Sequence, residues 1–306
     1  MGVSYPRMLS RLNKLSVENH FDAYKDISWD DPEFVLDSND SRLVETSVDP
    51  FAQSSWYQSL TSPMQSKFGL YRYASCMKTG WHFENLLQRG LLALAFREEN
   101  GSDTFRYVHH EVIEESQHTL MFQEYVNRSG LPVRGMARRF RFFGELTIEA
   151  IAKHDRLLFF VFVLGGEEPA DFLQKSLLQA GIEHPLLERI MRIHVTEEAR
   201  HLSFARHFIE ANAQSASKLR KGILSIVSPL VLGTMARIMI DPASDLRNCF
   251  DMDKRTYRNT LKTEKYKLML KGSVSRTRKL LVDLGLVGPF SKLLWRLEGI
   301  WDDPAR

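Results

Sequence analysis

The stretch His194-Val195-Thr196-Glu197-Glu198-Ala199-Arg200-His201 decides how this chain is read. His194, Glu198 and His201 stand at i, i+4 and i+7, and in a helix those positions share one face. Upstream, Glu114-Glu115-Ser116-Gln117-His118 repeats the Glu-x-x-His half of the pattern. Two such units on separate helices, with further inward carboxylates, are how a four-helix bundle holds two iron or manganese ions. A single Glu-x-x-His means little, because a solvated helix face produces it readily. Here there are two, each preceded by a long helix carrying a candidate inward Glu. The expectation is a dimetal, di-iron oxidative enzyme.

The helices that would carry these residues follow from the flanking sequence. Gln65 to about Glu98 has no proline and is rich in Leu, Ala and aromatics; it carries Glu84 within Trp81-His82-Phe83-Glu84. Asn100-Gly101-Ser102 ends it, and Ser102 or Asp103 can cap the next helix, Thr104 to Asn127. There Glu111, Glu115, His118 and Phe122 form one stripe, and Ser129-Gly130-Leu131-Pro132 stops the helix. A long basic connection, Arg134 to Arg141, fits a bundle in which one link crosses over. A third helix is predicted from about Glu145 to Ala180, bent near Gly165-Gly166 or Pro169. Its apolar run, Leu157 to Leu164, leads into Glu167 and Glu168, which helix phase alone does not separate. Gly181 terminates it, and Pro185 opens the fourth helix, which runs to about Ala211.

The ends of the chain say less. Residues 1–62 are polar with scattered aromatics and read as a segment wrapping the surface, pinned by aromatic anchors. Residues 212–306 read as a C-terminal helical extension, including an Asp241-Pro242 break and a basic stretch from Lys254 to Lys279. Within that extension, Gly222 to Ile240 is apolar but contains Pro229 and Arg237, so a buried or dimer-contact helix is expected over a membrane span. No alternating strand pattern is evident, which predicts an all-α chain forming one domain over 1–306.

Bulk properties exclude several classes. The 43% hydrophobic content suits a core-forming protein, and a formal charge of +3 over 306 residues gives no reason to invoke nucleic acid. Cys76 and Cys249 form no Cys-x-x-Cys site, which fits a reducing cytoplasm, and Met1 to Lys14 lacks the apolar run of a signal peptide.

The donor types suit oxygen chemistry at two metals. Carboxylates supply hard anionic oxygens that can bridge, and imidazoles add neutral nitrogens while leaving positions open. Glu84 and one carboxylate of the Glu167-Glu168 pair would complete the set. His194 is an extra residue, either a seventh ligand or a histidine hydrogen-bonded beside the site. Glu197, Arg200 and Arg206 are read as facing water or pairing with one another. His82, His109, His110 and His207 are read as ordinary histidines.

With these residues placed, the chain resembles the p-aminobenzoate N-oxygenase family of di-iron arylamine oxygenases. The resemblance rests on Tyr24-Lys25-Asp26-Ile27-Ser28-Trp29, Gly80-Trp81-His82-Phe83-Glu84, Glu114 to His118, and His184-Pro185-Leu186-Leu187 leading into His194 to His201. It implies a ferritin-like four-helix core with extra N- and C-terminal helices, and a homodimer. It implies that Glu84 and Glu115 with His118 serve one iron, and Glu198 with His194 and His201 the other, with Glu115 and Glu198 bridging. Its spacing selects Glu167 over Glu168 as the remaining carboxylate. It assigns no catalytic residue beyond these ligands. The function implied is oxidation of a small-molecule amine by O2 to hydroxylamine, nitroso or nitro, with electrons from an external reductase or ferredoxin. The alternative is a di-iron C–H hydroxylase acting on a carrier-bound or lipid-like substrate; a non-catalytic iron-binding protein is the third reading.

Overall fold

Four long antiparallel helices carry the candidate residues in the computed structural model, which describes residues 4–44, 48–241 and 245–302. Val3 and Pro242, which fall in the boundary stretches read above, lie outside the described residues. Among the described residues there is no strand, and the helices are α1 Tyr5–Glu18, α2 Ser55–Gln58, α3 Ser62–Ala95, α4 Asp103–Ser129, α5 Arg138–His154, α6 Arg156–Ala180, α7 Pro185–Ala213, α8 Lys218–Ile240, α9 Leu246–Cys249, α10 Lys254–Thr260, α11 Glu264–Ser273, α12 Ser275–Asp283 and α13 Pro289–Leu297. The core is a ferritin-like bundle in which α3 pairs with α4 and α6 with α7, and the link between the two pairs contains α5.

Local chemistry sets the helix ends. Ser102 accepts a hydrogen bond from the Phe105 amide at the start of α4. Gly130 and Gly181 take the left-handed conformation, with φ of 62° and 80°, that closes α4 and α6. Between Glu145 and Ala180 the structure departs from the expected single bent helix. The chain breaks at Asp155, and α6 runs unbroken through Gly165-Gly166 and Pro169. Asp155 is the cause: its carboxylate accepts from the Leu158 amide as an N-cap and from Arg220 of α8 at 2.6 Å.

The apolar run of α6 is buried because the helix is covered on several sides, by α7, α8, α5 and α3. Close approach is possible where glycines replace side chains. A Cβ on Gly166 would fall 2.1 Å from the Phe83 ring, and one on Gly90 2.2 Å from that of Phe159. These glycines bring α6 against α3 at the level of Glu84.

The N-terminal segment is more ordered than a polar wrap. It begins with α1, whose Met8, Leu9 and Leu12 are buried and which packs on α4 and α7. Trp29, Phe51 and Tyr57 are buried anchors as expected, whereas Tyr24 is exposed. The basic Lys254 to Lys279 stretch divides into α10, α11 and the start of α12. Of the apolar helix α8, half is buried, against α6 and α13 among others; by length and composition alone it is long enough to cross a membrane.

Candidate metal centre

Glu84 from α3, Glu115 and His118 from α4, Glu167 from α6, and His194, Glu198 and His201 from α7 converge inside the bundle. Each is essentially buried. Their donor atoms form overlapping close groups, with all atoms of a group within 4.8 Å: Glu84, His118 and His194; Glu115, Glu198 and His201; Glu167, His194 and Glu198; and Glu84, Glu115 and Glu167. The structure thus brings these seven side chains together, with Glu167 and not Glu168 among them. Helix periodicity explains how. Each Glu-x-x-His unit presents both side chains from one face, and His194 lies one turn before Glu198. His194 sits between the two halves, grouping both with Glu84 and His118 and with Glu167 and Glu198.

Glu167 and Glu168 part ways. Glu168 turns out of the bundle to the N-terminus of α12, where it accepts from the Arg276 amide at 2.7 Å, the Thr277 amide at 2.9 Å and the Thr277 hydroxyl. Arg206 approaches it at 3.7 Å. Both oxygens of Glu167 are buried without a hydrogen-bond partner.

The two histidines are held from behind by carboxylates that the sequence reading passed over. His118 directs Nδ1 at Glu115, 3.0 Å away, and Nε2 at Glu197 of α7, 2.9 Å away. His201 directs Nδ1 at Glu198, 2.7 Å, and Nε2 at Glu114 of α4, 2.7 Å. The arrangement is crossed: the first Glu of each Glu-Glu-x-x-His unit reaches the histidine of the other. Arg200 lies between them, 2.9 Å from Glu114 and 3.4 Å from Glu197. Glu197 and Arg200 are therefore buried rather than turned to water, and the expected pairing between them holds. The Phe21 amide adds a hydrogen bond to Glu197 at 3.0 Å, which ties the N-terminal segment to the centre. The doubled Glu-Glu was the available signal.

This much buried charge needs compensation. Burial, then Glu115, pushes Glu84 well above the ordinary carboxylate range; burial, then Glu198, does the same to Glu167. Burial pushes Glu115 up too, but His201 and His118 outweigh it and hold it well below that range. For His118, burial is outweighed by Glu115 and the pKa rises to about 10; His201 rises likewise. Burial lowers His194 to about 3, leaving a neutral imidazole. In this state protons neutralise the cluster.

Divalent cations fit the same place. The four carboxylates Glu84, Glu115, Glu167 and Glu198 carry a charge that two dications match. One oxygen each of Glu84 and Glu198, both of Glu167 and both ring nitrogens of His194 are buried without hydrogen bonds. Donors of these types, turned inward and unsatisfied, are what a dimetal carboxylate site requires. A cavity abuts this centre at Glu84 and His194 and extends between α3 and α6 along Met77, Leu173 and Leu177.

Comparison with known proteins agrees with this geometry. The family model described as P-aminobenzoate N-oxygenase AurF matches residues 3–285. Uncharacterized proteins of Mycobacterium bovis and Mycobacterium tuberculosis H37Rv are each 36% identical over 304 residues, covering 99% of this chain and 89% of theirs.

Proposed function

The chain belongs to the p-aminobenzoate N-oxygenase family of di-iron oxygenases, and from that membership we propose that it oxidises the nitrogen of an amine with dioxygen. The observation that carries the proposal is the set of seven buried donors with crossed carboxylate support. Glu84, Glu115, His118, Glu167, His194, Glu198 and His201 are the proposed metal ligands, with iron as the metal. Two iron ions held there would supply redox-active centres with open positions for dioxygen.

The chain's own residues then have defined tasks. Glu197 and Glu114 accept the Nε2 protons of His118 and His201, which fixes each ring with Nδ1 toward the centre. Arg200 neutralises part of that carboxylate pair. The apolar walls around Phe122, Met77 and Leu173 keep bulk water from the reacting nitrogen. The balanced first step is an amine, O2, two electrons and two protons giving a hydroxylamine and water. The electrons come from a separate donor, a reductase or ferredoxin. The whole chain acts as one cytoplasmic domain, and the enzyme is a homodimer.

To test this, the protein is loaded with iron, reduced, exposed to O2 and offered a panel of arylamines. Hydroxylamine or nitro products are expected by mass spectrometry. Oxygen insertion only at carbon would transfer the assignment to a hydroxylase; no stoichiometric metal would remove the basis for both.

A further inference from the structure

A single guanidinium, that of Arg200, stands behind both halves of the metal centre, and we propose that it sets the reduction potentials of the two iron positions together, as a positioning residue acting through Glu114 and Glu197. This rests on the ligand assignment above and not on the amine. The two carboxylates are divided in the same way. Glu114 turns Oε2 to Nε2 of His201 at 2.7 Å and Oε1 to Nη2 of Arg200 at 2.9 Å. Glu197 turns Oε2 to Nε2 of His118 at 2.9 Å and Oε1 to the same Nη2 at 3.4 Å. One nitrogen therefore serves two carboxylates from different helices, and each of these holds a histidine assigned to a different iron.

Local sequence and packing explain the placement. Glu197 and Arg200 stand at i and i+3 on α7, on the flank beside the face that carries His194, Glu198 and His201. Antiparallel α4 brings Glu114 to the same spot. Among the described residues, neither carboxylate has a cation within 4.0 Å other than Arg200 and its histidine. His110, one turn before Glu114, is held below its ordinary pKa by burial first and adds no charge near pH 7. The Arg200 side chain is 8% exposed, and those of Glu114 and Glu197 are 2% and 0% exposed, so little water screens these charges.

The direction of the effect follows. A carboxylate that accepts an imidazole proton makes the ring a more electron-rich ligand, which favours the ferric ion. A guanidinium sharing that carboxylate draws its charge away and, as a positive charge beside the site, favours the ferrous ion. Two carboxylates share one cation, so the pair keeps net negative charge and Arg200 moderates it. Because Nη2 is common to both, its loss acts on both irons, whereas loss of one carboxylate acts mainly on one. Both positions are thereby kept within reach of the same external electron donor.

The test is a mediated redox titration of the iron-loaded, substrate-free protein at pH 7, with its two one-electron steps followed by electron paramagnetic resonance. A tenfold change in the ferric-to-ferrous ratio is about 59 mV for one electron. Arg200→Gln should favour the ferric side at least about tenfold at both steps. Arg200→Lys, which keeps the charge, should hold both within about threefold of wild type. Glu114→Gln and Glu197→Gln should each favour the ferrous side, chiefly at one step. Arg200→Gln at full iron content with neither step moved, or only one, overturns the proposal. So does a Lys variant that shifts as far as the Gln variant, or a Glu variant that moves neither step. If Arg200→Gln holds no iron, Arg200→Gln combined with Glu197→Gln removes one charge of each sign. One step should then stay within about threefold and the other move about tenfold to the ferric side, and two unmoved steps overturn the proposal. A wild type that holds no iron overturns the ligand assignment and the role of Arg200 together. Stoichiometric iron with unmoved potentials overturns that role alone. Shifted potentials without oxidation of any amine keep the role and discard N-oxygenation.

Discussion

At the scale of the residue, the crossed contacts set the expectations. Glu198 groups with His201 and Glu115 and also with Glu167 and His194, so Glu198→Ala should reduce metal content from two ions per chain toward none, read by elemental analysis. Glu197→Ala and Glu114→Ala leave all seven donors in place but release His118 or His201 from its partner. Each should weaken metal binding about 10- to 100-fold, measured by chelator competition, with Gln variants falling between because an amide oxygen still accepts the imidazole proton. Glu111 is a different case. It is fully buried one turn before Glu115, and neither oxygen has a hydrogen bond. Burial first, opposed by His201 and reinforced by Glu115 and Glu198, moves its pKa to about 8. A raised folded-state pKa means the folded protein holds a proton that the unfolded chain has lost. Stability therefore falls as pH rises from the ordinary carboxylate range to about 8. Metal-free Glu111→Gln should match the wild type near pH 4.5 and exceed it above pH 8 by a Tm difference on the order of a few °C.

At the scale of the element, the seam between α3 and α6 is the sensitive one. Gly166 precedes Glu167, and the ring it would meet, Phe83, precedes Glu84. Gly166→Ala gains up to about 1 kcal/mol of helix propensity but overpacks the seam, which typically costs about 1–3 kcal/mol. The net expectation is a loss of about 1–2 kcal/mol in urea unfolding, with reduced metal content as α3 and α6 separate. Asp155 shows that a single carboxylate can set an element boundary, since it caps α6 while pairing with Arg220. Sequence patterning located the four bundle helices because their periodicity and end signals are local. It missed the Asp155 break because the Arg220 partner lies 65 residues away.

At the scale of the whole molecule, one outer face stands out. Phe142, Phe143 and Leu146 of α5 are 60%, 60% and 67% exposed, and Ile223, Ile226 and Leu230 of α8 are exposed as well. Phe143 and Leu230 line one groove between the two helices. Exposed apolar side chains beside such a groove mark an interaction site, and the homodimer proposed above gives it an occupant. Wild type should sediment as a dimer, and Phe143→Glu with Leu146→Glu should shift it to a monomer that keeps its helical far-UV spectrum, with a lower Tm that no longer depends on protein concentration. A wild-type monomer that co-sediments with lipid vesicles would instead make this face, with α8, a membrane contact.

The amino-acid sequence by itself determined the helical class and the chemical character of the centre. Glu-x-x-His presents both ligands because i and i+3 share a helix face whatever surrounds them, and Gly130 and Gly181 end helices through their own backbone freedom. Only the tertiary structure decided what depends on partners distant in the chain. Glu167 and Glu168 differ by one step of helix rotation, and α12, more than 100 residues further on, claims Glu168 and leaves Glu167 inside. Glu114 and Glu197 look like solvated neighbours of the ligands until antiparallel packing places each behind the other unit's histidine. Arg72 and Asp49, 23 residues apart, become a buried ion pair only because the chain before α3 folds back. Periodicity is a property of neighbours in sequence, whereas charge compensation is a property of neighbours in space.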